Sequence, residues 1–209
     1  MRAQVKMSSV SFLSKIKTFF GPDSLPTADW LVIGLGNPGA KYHNTRHNVG
    51  YLSLDTLIDA HSPHPLAPAR GFKVSYTQLP QGALALRSTT YMNNSGEAVA
   101  PLAAKLGIPA ERIIVVHDEL DLPAGKVRLK KGGNENGHNG LKSLTAELGT
   151  RDYLRVRIGI SRPPAGMTVP DYVLEPFEGP QPGIELAAEA VMLILENGLA
   201  AAQNSVHAR

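Results

Sequence analysis

From Trp30 onward the apolar residues alternate between two periodicities. Short runs of strand length occur at WLVIG (30–34), FKVSY (72–76), ALALRS (83–88), RIIVVHD (112–118), KVRLKK (126–131) and YLRVRIGI (153–160). Between them, spacings of three and four mark amphipathic helices in VGYLSLDTLIDA (49–60), SGEAVAPLAAKLG (95–107), NGLKSLTAELG (139–149) and GIELAAEAVMLILENGL (183–199). Strands and helices interleave with no internal repeat. This order predicts one α/β domain over residues 30–207, a central mixed β-sheet flanked by helices on both faces. The proline-rich pieces HSPHPLAPARG and SRPPAGMTVP read as surface connections, because neither separates two segments able to fold alone.

The first 29 residues follow another pattern. They contain no acid before Asp23, several lysines and serines, and an apolar set (Val10, Phe12, Leu13, Ile16, Phe19, Phe20) roughly on one helical face. We read this extension as a flexible arm or short amphipathic helix; organelle import through a basic transit peptide is the alternative. No stretch approaches the ~20 apolar residues of a membrane span; the chain is expected in the cytoplasm and as a monomer.

Composition narrows the chemistry. At 209 residues and 43% hydrophobic content the chain can bury one full core. With no cysteine, disulfides, thiolate nucleophiles and thiolate metal sites are excluded together. His43, His61 and His64 stand in polar loops without carboxylates at ligand spacing, so neither a metal nor another cofactor is expected. A formal charge of +3 suits a polyanionic partner and equally none.

Gly34-Leu35-Gly36-Asn37-Pro38-Gly39 satisfies the dinucleotide pattern G-x-G-x-x-G. That fingerprint needs its third glycine to open a helix, whose N-terminus holds the pyrophosphate. Helical spacing here starts only at Val49. The glycines are better read as a rigid turn that ends a strand and launches a polar loop carrying Tyr42, Arg46, His47 and Asn48 toward the carboxyl edge of the sheet, where α/β proteins place their chemistry.

Three further polar groups meet there. Asn93 follows the strand ALALRS, and Asn94 with Glu97 form a capping pair for the next helix, which leaves Asn93 unexplained by folding. The apolar strand IIVV ends in His117-Asp118-Glu119, a position suited to a carboxylate that orients an imidazole. The loop GGNENGHNG enters a helix with Asn139 at the expected N-cap. One imidazole (His47), one carboxylate (Asp118) and amides able to stabilise an oxyanion, with no serine nucleophile elbow, are equipment for ester hydrolysis by direct water attack.

These residues also carry a resemblance. Five blocks, GLGNPGAKYHNTRHNVG, TTYMNNSGEAV, HDELDLPAGKVRLK, GHNGLKSL and RVRIGI, make the chain similar to the bacterial-type peptidyl-tRNA hydrolases across roughly Leu31 to His207. The resemblance implies hydrolysis of the ester between a peptide and the 3′-terminal ribose of tRNA, with the acceptor stem and 3′ end as partner. It makes His47 the base, Asp118 its orienting acid, and Asn37, Asn93 and Asn139 the amides around the ester and peptide. Tyr42 matches an aromatic near the 3′ end. Alternation in GKVRLKK and LRVRIGI gives two strands a basic row each, by itself an ordinary solvated face. The resemblance maps a phosphate clamp onto Arg128, Lys130 and Arg155, leaving Lys126, Lys131 and Arg157 open.

The loop before His138 departs from the family's glycine-rich form. Asn134-Glu135-Asn136 stiffens it and adds an acid beside the expected cleft. The roles of His117 and His138 stay open. Two alternatives to the hydrolase are a non-enzymatic RNA-binding relative, similar to a plastid splicing factor of this fold, and a Rossmann-type nucleotide-binding protein.

Overall fold

Periodicity translates directly into elements in the computed structural model, which describes residues 25–177, 179 and 183–209. The strands are β1 (Trp30–Gly34), β2 (Ala67–Pro68), β3 (Val74–Leu79), β4 (Ala83–Ser88), β5 (Ile113–Glu119), β6 (Val127–Lys131) and β7 (Leu154–Gly159). The helices are α1 (Val49–His61), α2 (Ser95–Leu106), α3 (Asn139–Leu148), α4 (Val169–Leu174) and α5 (Ile184–His207), the last interrupted at Gly198. The expected N-terminal arm falls largely on residues 1–24, outside the described residues. No helix among the described residues is long and apolar enough to cross a membrane.

One seven-stranded sheet has the order β2-β3-β4-β1-β5-β7-β6. Its centre, β4-β1-β5-β7, is parallel; β3 runs antiparallel to β4 as a hairpin on one side, and β6 runs antiparallel to β7 on the other. The mixed sheet expected from the sequence is thus observed. Alternate residues of β1 and β5 feed two cores. Val32, Ile114 and Val116 join α1 and α5, whereas Leu31, Ile33, Ile113 and Val115 join α2 and α3. Helices therefore cover both faces, which is why the central strands read as unbroken apolar runs.

Two short elements escape the periodicity. β2 lies in the first proline-rich connection, pairing with Ser75 and Tyr76 through Pro68 and Ala67; α4 begins in the last two residues of the second. Both are too short for either period to register. At the far edge, α5 covers β6: Gln203 Nε2 donates to the Leu129 carbonyl at 3.0 Å, and His207 Nε2 accepts from the Leu129 N–H at 2.9 Å. These contacts satisfy outward backbone groups that an open edge strand would offer to another chain.

The glycine run after β1 serves packing. A Cβ on Gly34 would lie 2.3 Å from the Gly50 carbonyl oxygen, and one on Gly50 2.4 Å from that of Val116. Only glycine at both positions lets the start of α1 lie against the ends of β1 and β5. That packing brings His47, three residues before Gly50, to the end of β5. Gly39 turns the chain at φ 102° into a single 3-10 turn, Ala40–Tyr42, so no α-helix opens on the glycine motif as the dinucleotide reading requires.

Candidate active site

Asp118 is the penultimate residue of β5 and is 4% exposed. Its Oδ1 accepts from His47 Nδ1 at 2.9 Å and from His138 Nε2 at 3.0 Å. Burial opposes ionisation of this carboxyl, but the two imidazoles and their hydrogen bonds outweigh it and hold the group well below the usual carboxylate range. An ionised Asp118 is an acceptor only, so His47 carries its proton on Nδ1 and leaves Nε2 unprotonated, in a ring that lines the cleft. Burial works against the His47 cation, while the charge and hydrogen bond of Asp118 favour it more strongly, so the ring titrates above its ordinary value.

His138 completes the cluster. Its Nδ1 accepts from the backbone N–H groups of Gly140 and Leu141 at 3.1 and 3.3 Å, capping α3. The expected cap, Asn139, is instead the first helical residue; its side chain is released into the cleft. A cap one residue early was invisible in sequence because histidine is not a common N-cap. His117 packs edge-on against His138 with ring centroids 5.2 Å apart. Its Nδ1 donates to the Asp118 carbonyl at 2.6 Å, and complete burial, with His138 and Arg155 nearby, holds it well below the ordinary histidine value. Nothing in this arrangement makes His117 a proton donor at neutral pH.

His47, Asp118 and His138 offer one ligand atom each within 4.8 Å, a spacing a metal ion could use. The proton inventory does not fit one. With Nδ1 of His138 occupied by two N–H donors, the ring's proton sits on Nε2, and coordination there would demand an imidazolate.

Asn37 is oriented by its neighbours. Its backbone N–H donates to Asn48 Oδ1 at 2.8 Å, and Asn48 Nδ2 returns a bond to its carbonyl at 3.0 Å. The Asn37 side-chain oxygen accepts from the Met92 N–H at 2.8 Å, so its amide NH2 faces the cleft. Asn93 is exposed in the same wall. The Asn94–Glu97 capping pair does not form. Asn94 stands at the N-cap of α2 without a side-chain bond, Glu97 pairs with Lys73, and the Gly96 N–H is met by Ser143 Oγ of α3 at 2.9 Å. A tertiary donor–acceptor pair has replaced the local one. Asn93→Ala should accordingly impair turnover with stability unchanged to within about 0.5 kcal/mol, checked by steady-state kinetics beside a thermal melt. Unaltered kinetics would remove Asn93 from the site.

The cleft around these groups encloses about 780 Å³. Asn37, Asn93, Asn139, His47 and Asp118 all line it, with Met92, Leu120, Val169, Val173 and Leu174 supplying apolar wall. A second, more polar cleft of about 560 Å³ lies on the other side of Asn37. Tyr42 lines neither; its ring stands edge-on to Tyr91 at 6.3 Å, beneath Lys41. Arg46 holds the loop that carries His47. Its guanidinium bonds the Tyr172 carbonyl and Glu175, and lies 4.2 Å over the Tyr172 ring.

The basic rows separate. β6 pairs with β7 so that Arg128 faces Arg157 and Lys130 faces Arg155. Arg128 and Lys130 are partly exposed. Arg155 corrects the expectation of a phosphate clamp: it is 1% exposed, and its guanidinium is spent on the carbonyls of Gly133 and Asn134 at 2.6 and 2.8 Å. Alternation put it on the right face but could not show the loop folded over it. Arg157 keeps 20% of its side chain exposed, 3.6 Å from Glu119.

Fold and site together define an α/β protein with a carboxylate-oriented imidazole beside amide donors in one cleft, the equipment of a hydrolase; no serine or threonine hydroxyl is bonded to His47 among the described residues. Residues 31–209 match the family model described as peptidyl-tRNA hydrolase. The chain is 75% identical over 204 residues to "Peptidyl-tRNA hydrolase 2" of Corynebacterium glutamicum, covering 97% of this chain and 100% of the relative. It is 46% identical to the peptidyl-tRNA hydrolase of Nocardia farcinica, covering 90% and 99%. A crystal structure of peptidyl-tRNA hydrolase from Acinetobacter baumannii superposes with a TM-score of 0.78 at 32% identity, covering 88% of this chain and 98% of the other. The chain belongs to the peptidyl-tRNA hydrolase family. The non-enzymatic alternative is not favoured.

Proposed function

We propose that the protein hydrolyses the ester joining a peptide to the 3′-terminal ribose of tRNA, freeing the tRNA for reuse, and that His47 and Asp118 drive the reaction. The observation that carries this reading is the His47–Asp118 hydrogen bond at the cleft wall beside the oriented Asn37 amide. His47 Nε2 takes a proton from water as its oxygen bonds to the ester carbonyl carbon. Asp118 stabilises the imidazolium without taking its proton. The amide NH2 groups of Asn37 and Asn93 receive the oxyanion. The carbon–oxygen bond to the ribose then breaks, and the leaving 3′-oxygen recovers the proton from His47. Asn139 holds the peptide backbone, and Tyr42 with Tyr91 flanks the 3′ end.

Phosphates of the acceptor stem meet Arg128 and Lys130, with Arg157 completing the row in place of buried Arg155. Burial and the neighbouring Arg157 and Arg155 cations lower Lys130 from its ordinary value, a repulsion that a bound phosphate relieves. The protein works as a monomer in the cytoplasm, where its substrate is. Release of an N-blocked amino acid from N-blocked aminoacyl-tRNA tests the activity. Neutralising Arg128 and Lys130 should flatten the plot of log affinity against log salt by roughly 0.7 to 0.9 for each phosphate no longer neutralised. Turnover at saturation should persist. Equal loss of activity on full-length tRNA and on a minimal substrate would show that the row is structural.

A further inference from the structure

Even with Asn134-Glu135-Asn136 in it, the segment between β6 and α3 keeps conformational freedom at four positions. Gly132, Gly133, Asn136 and Gly137 all have positive φ, and glycine or asparagine at such positions leaves the free chain many alternatives. Yet the segment ends at His138, whose Nε2 must stay on Asp118 Oδ1. Several interactions remove that freedom. Buried Arg155 reaches up from β7 to the carbonyls of Gly133 and Asn134 with two nitrogens of one planar fork. Arg155 also lies 4.8 Å over the Tyr153 ring, and the Tyr153 hydroxyl engages Thr145 of α3 at 3.1 Å. From the outer side Arg151 grips the Glu135 carboxylate, its Nε 2.6 Å from Oε1 and one terminal nitrogen 3.4 Å from Oε2. The Glu135 carbonyl in turn accepts from the His138 N–H at 2.8 Å.

We propose that Arg155, Arg151 and Glu135 are positioning residues that latch this loop so that His138 stays bonded to Asp118, and that Arg155 serves the reaction through the loop backbone. The acid that the sequence placed beside the cleft is spoken for: the hydrogen bond from Arg151 holds Glu135 at about 2, so its charge is neutralised by a partner on the protein. Lysine cannot replace Arg155, because a single ammonium lacks the fork that spans two successive carbonyls. The proposal rests on the assignment of His47 and Asp118 as the reacting pair.

Two variants test it. Arg155→Lys keeps the charge and loses the fork; Arg151→Ala cuts the outer ion pair at an exposed side chain and leaves the core intact. Each should lower kcat, Arg155→Lys by roughly tenfold, with the salt dependence of tRNA affinity unchanged. The charge-exchanged pair Glu135→Arg with Arg151→Glu should recover most of the turnover missing in Arg151→Ala. The His138 imidazole N–H resonance, slowly exchanging while bonded to Asp118, should broaden in both single variants and return in the exchanged pair. Wild-type kcat and an unchanged resonance in both single variants would overturn the latch, as would a flattened salt dependence with kcat intact in Arg155→Lys. The resonance reads the latch independently of catalysis. Full activity in His47→Ala would overturn the catalytic assignment alone.

Discussion

Replacement of His47 by alanine should lower turnover by at least ~10²-fold while leaving tRNA affinity close to wild type, the scale expected when a general base is removed and ground-state binding is kept. Three features of the site set this expectation. Nδ1 of His47 is committed to Asp118, so Nε2 is the ring's only available base. Neither neighbouring imidazole can substitute: His138 has both nitrogens occupied, and His117 is buried with its Nδ1 engaged. The residues proposed to meet phosphate lie on β6 and β7, away from the His47 loop. Single-turnover kinetics with N-blocked aminoacyl-tRNA, beside a binding measurement with uncharged tRNA, separates the two quantities. Near-wild-type turnover would remove His47 from the mechanism.

Asp118→Asn should cut turnover by roughly tenfold or more and move the acid limb of the pH profile. Its direction is set by two opposing influences on His47. In the wild-type protein Asp118 raises the His47 value above 6.5 against the opposing effect of burial. A base works only when unprotonated, so kcat/KM should rise with pH through that raised value and level off above it. Without the carboxylate charge the burial remains, and the limb should shift to lower pH. The plateau itself should drop, because an amide can hold the ring but cannot stabilise the imidazolium. Asparagine leaves the residue's volume unchanged, so the comparison isolates charge from packing. A limb that stays in place would show that Asp118 does not govern the His47 proton.

The elements were legible because they depend on local periodicity. Strands β1, β4, β5, β6 and β7 and helices α1, α2, α3 and α5 carry their periods over five or more residues, enough for each apolar face to declare itself. The site was legible in part for the same reason. A strand that stays apolar through Val116 and then ends in an acid says that Asp118 stands at the carboxyl edge of the sheet, where the polar loop after β1 also arrives.

Choice of partner was decided by tertiary structure. Asn94 looked like a cap, yet its helix receives Ser143 from α3; Asn139 looked like a cap, yet His138 takes that place and joins the carboxylate. A hydrogen-bonding side chain goes to whichever partner satisfies the most otherwise buried donors and acceptors, and those partners lie about 20 to 50 residues away. Arg155 and Arg157 show the same division within one strand. Alternation determines that both point to one face of β7, and only the loop packed over that face determines that Arg155 is buried among carbonyls while Arg157 still meets solvent. Sequence thus specified which groups reach the carboxyl edge, since side-chain direction repeats with a local period. Which of them touch Asp118, and which are covered, depended on long-range packing that no local period encodes.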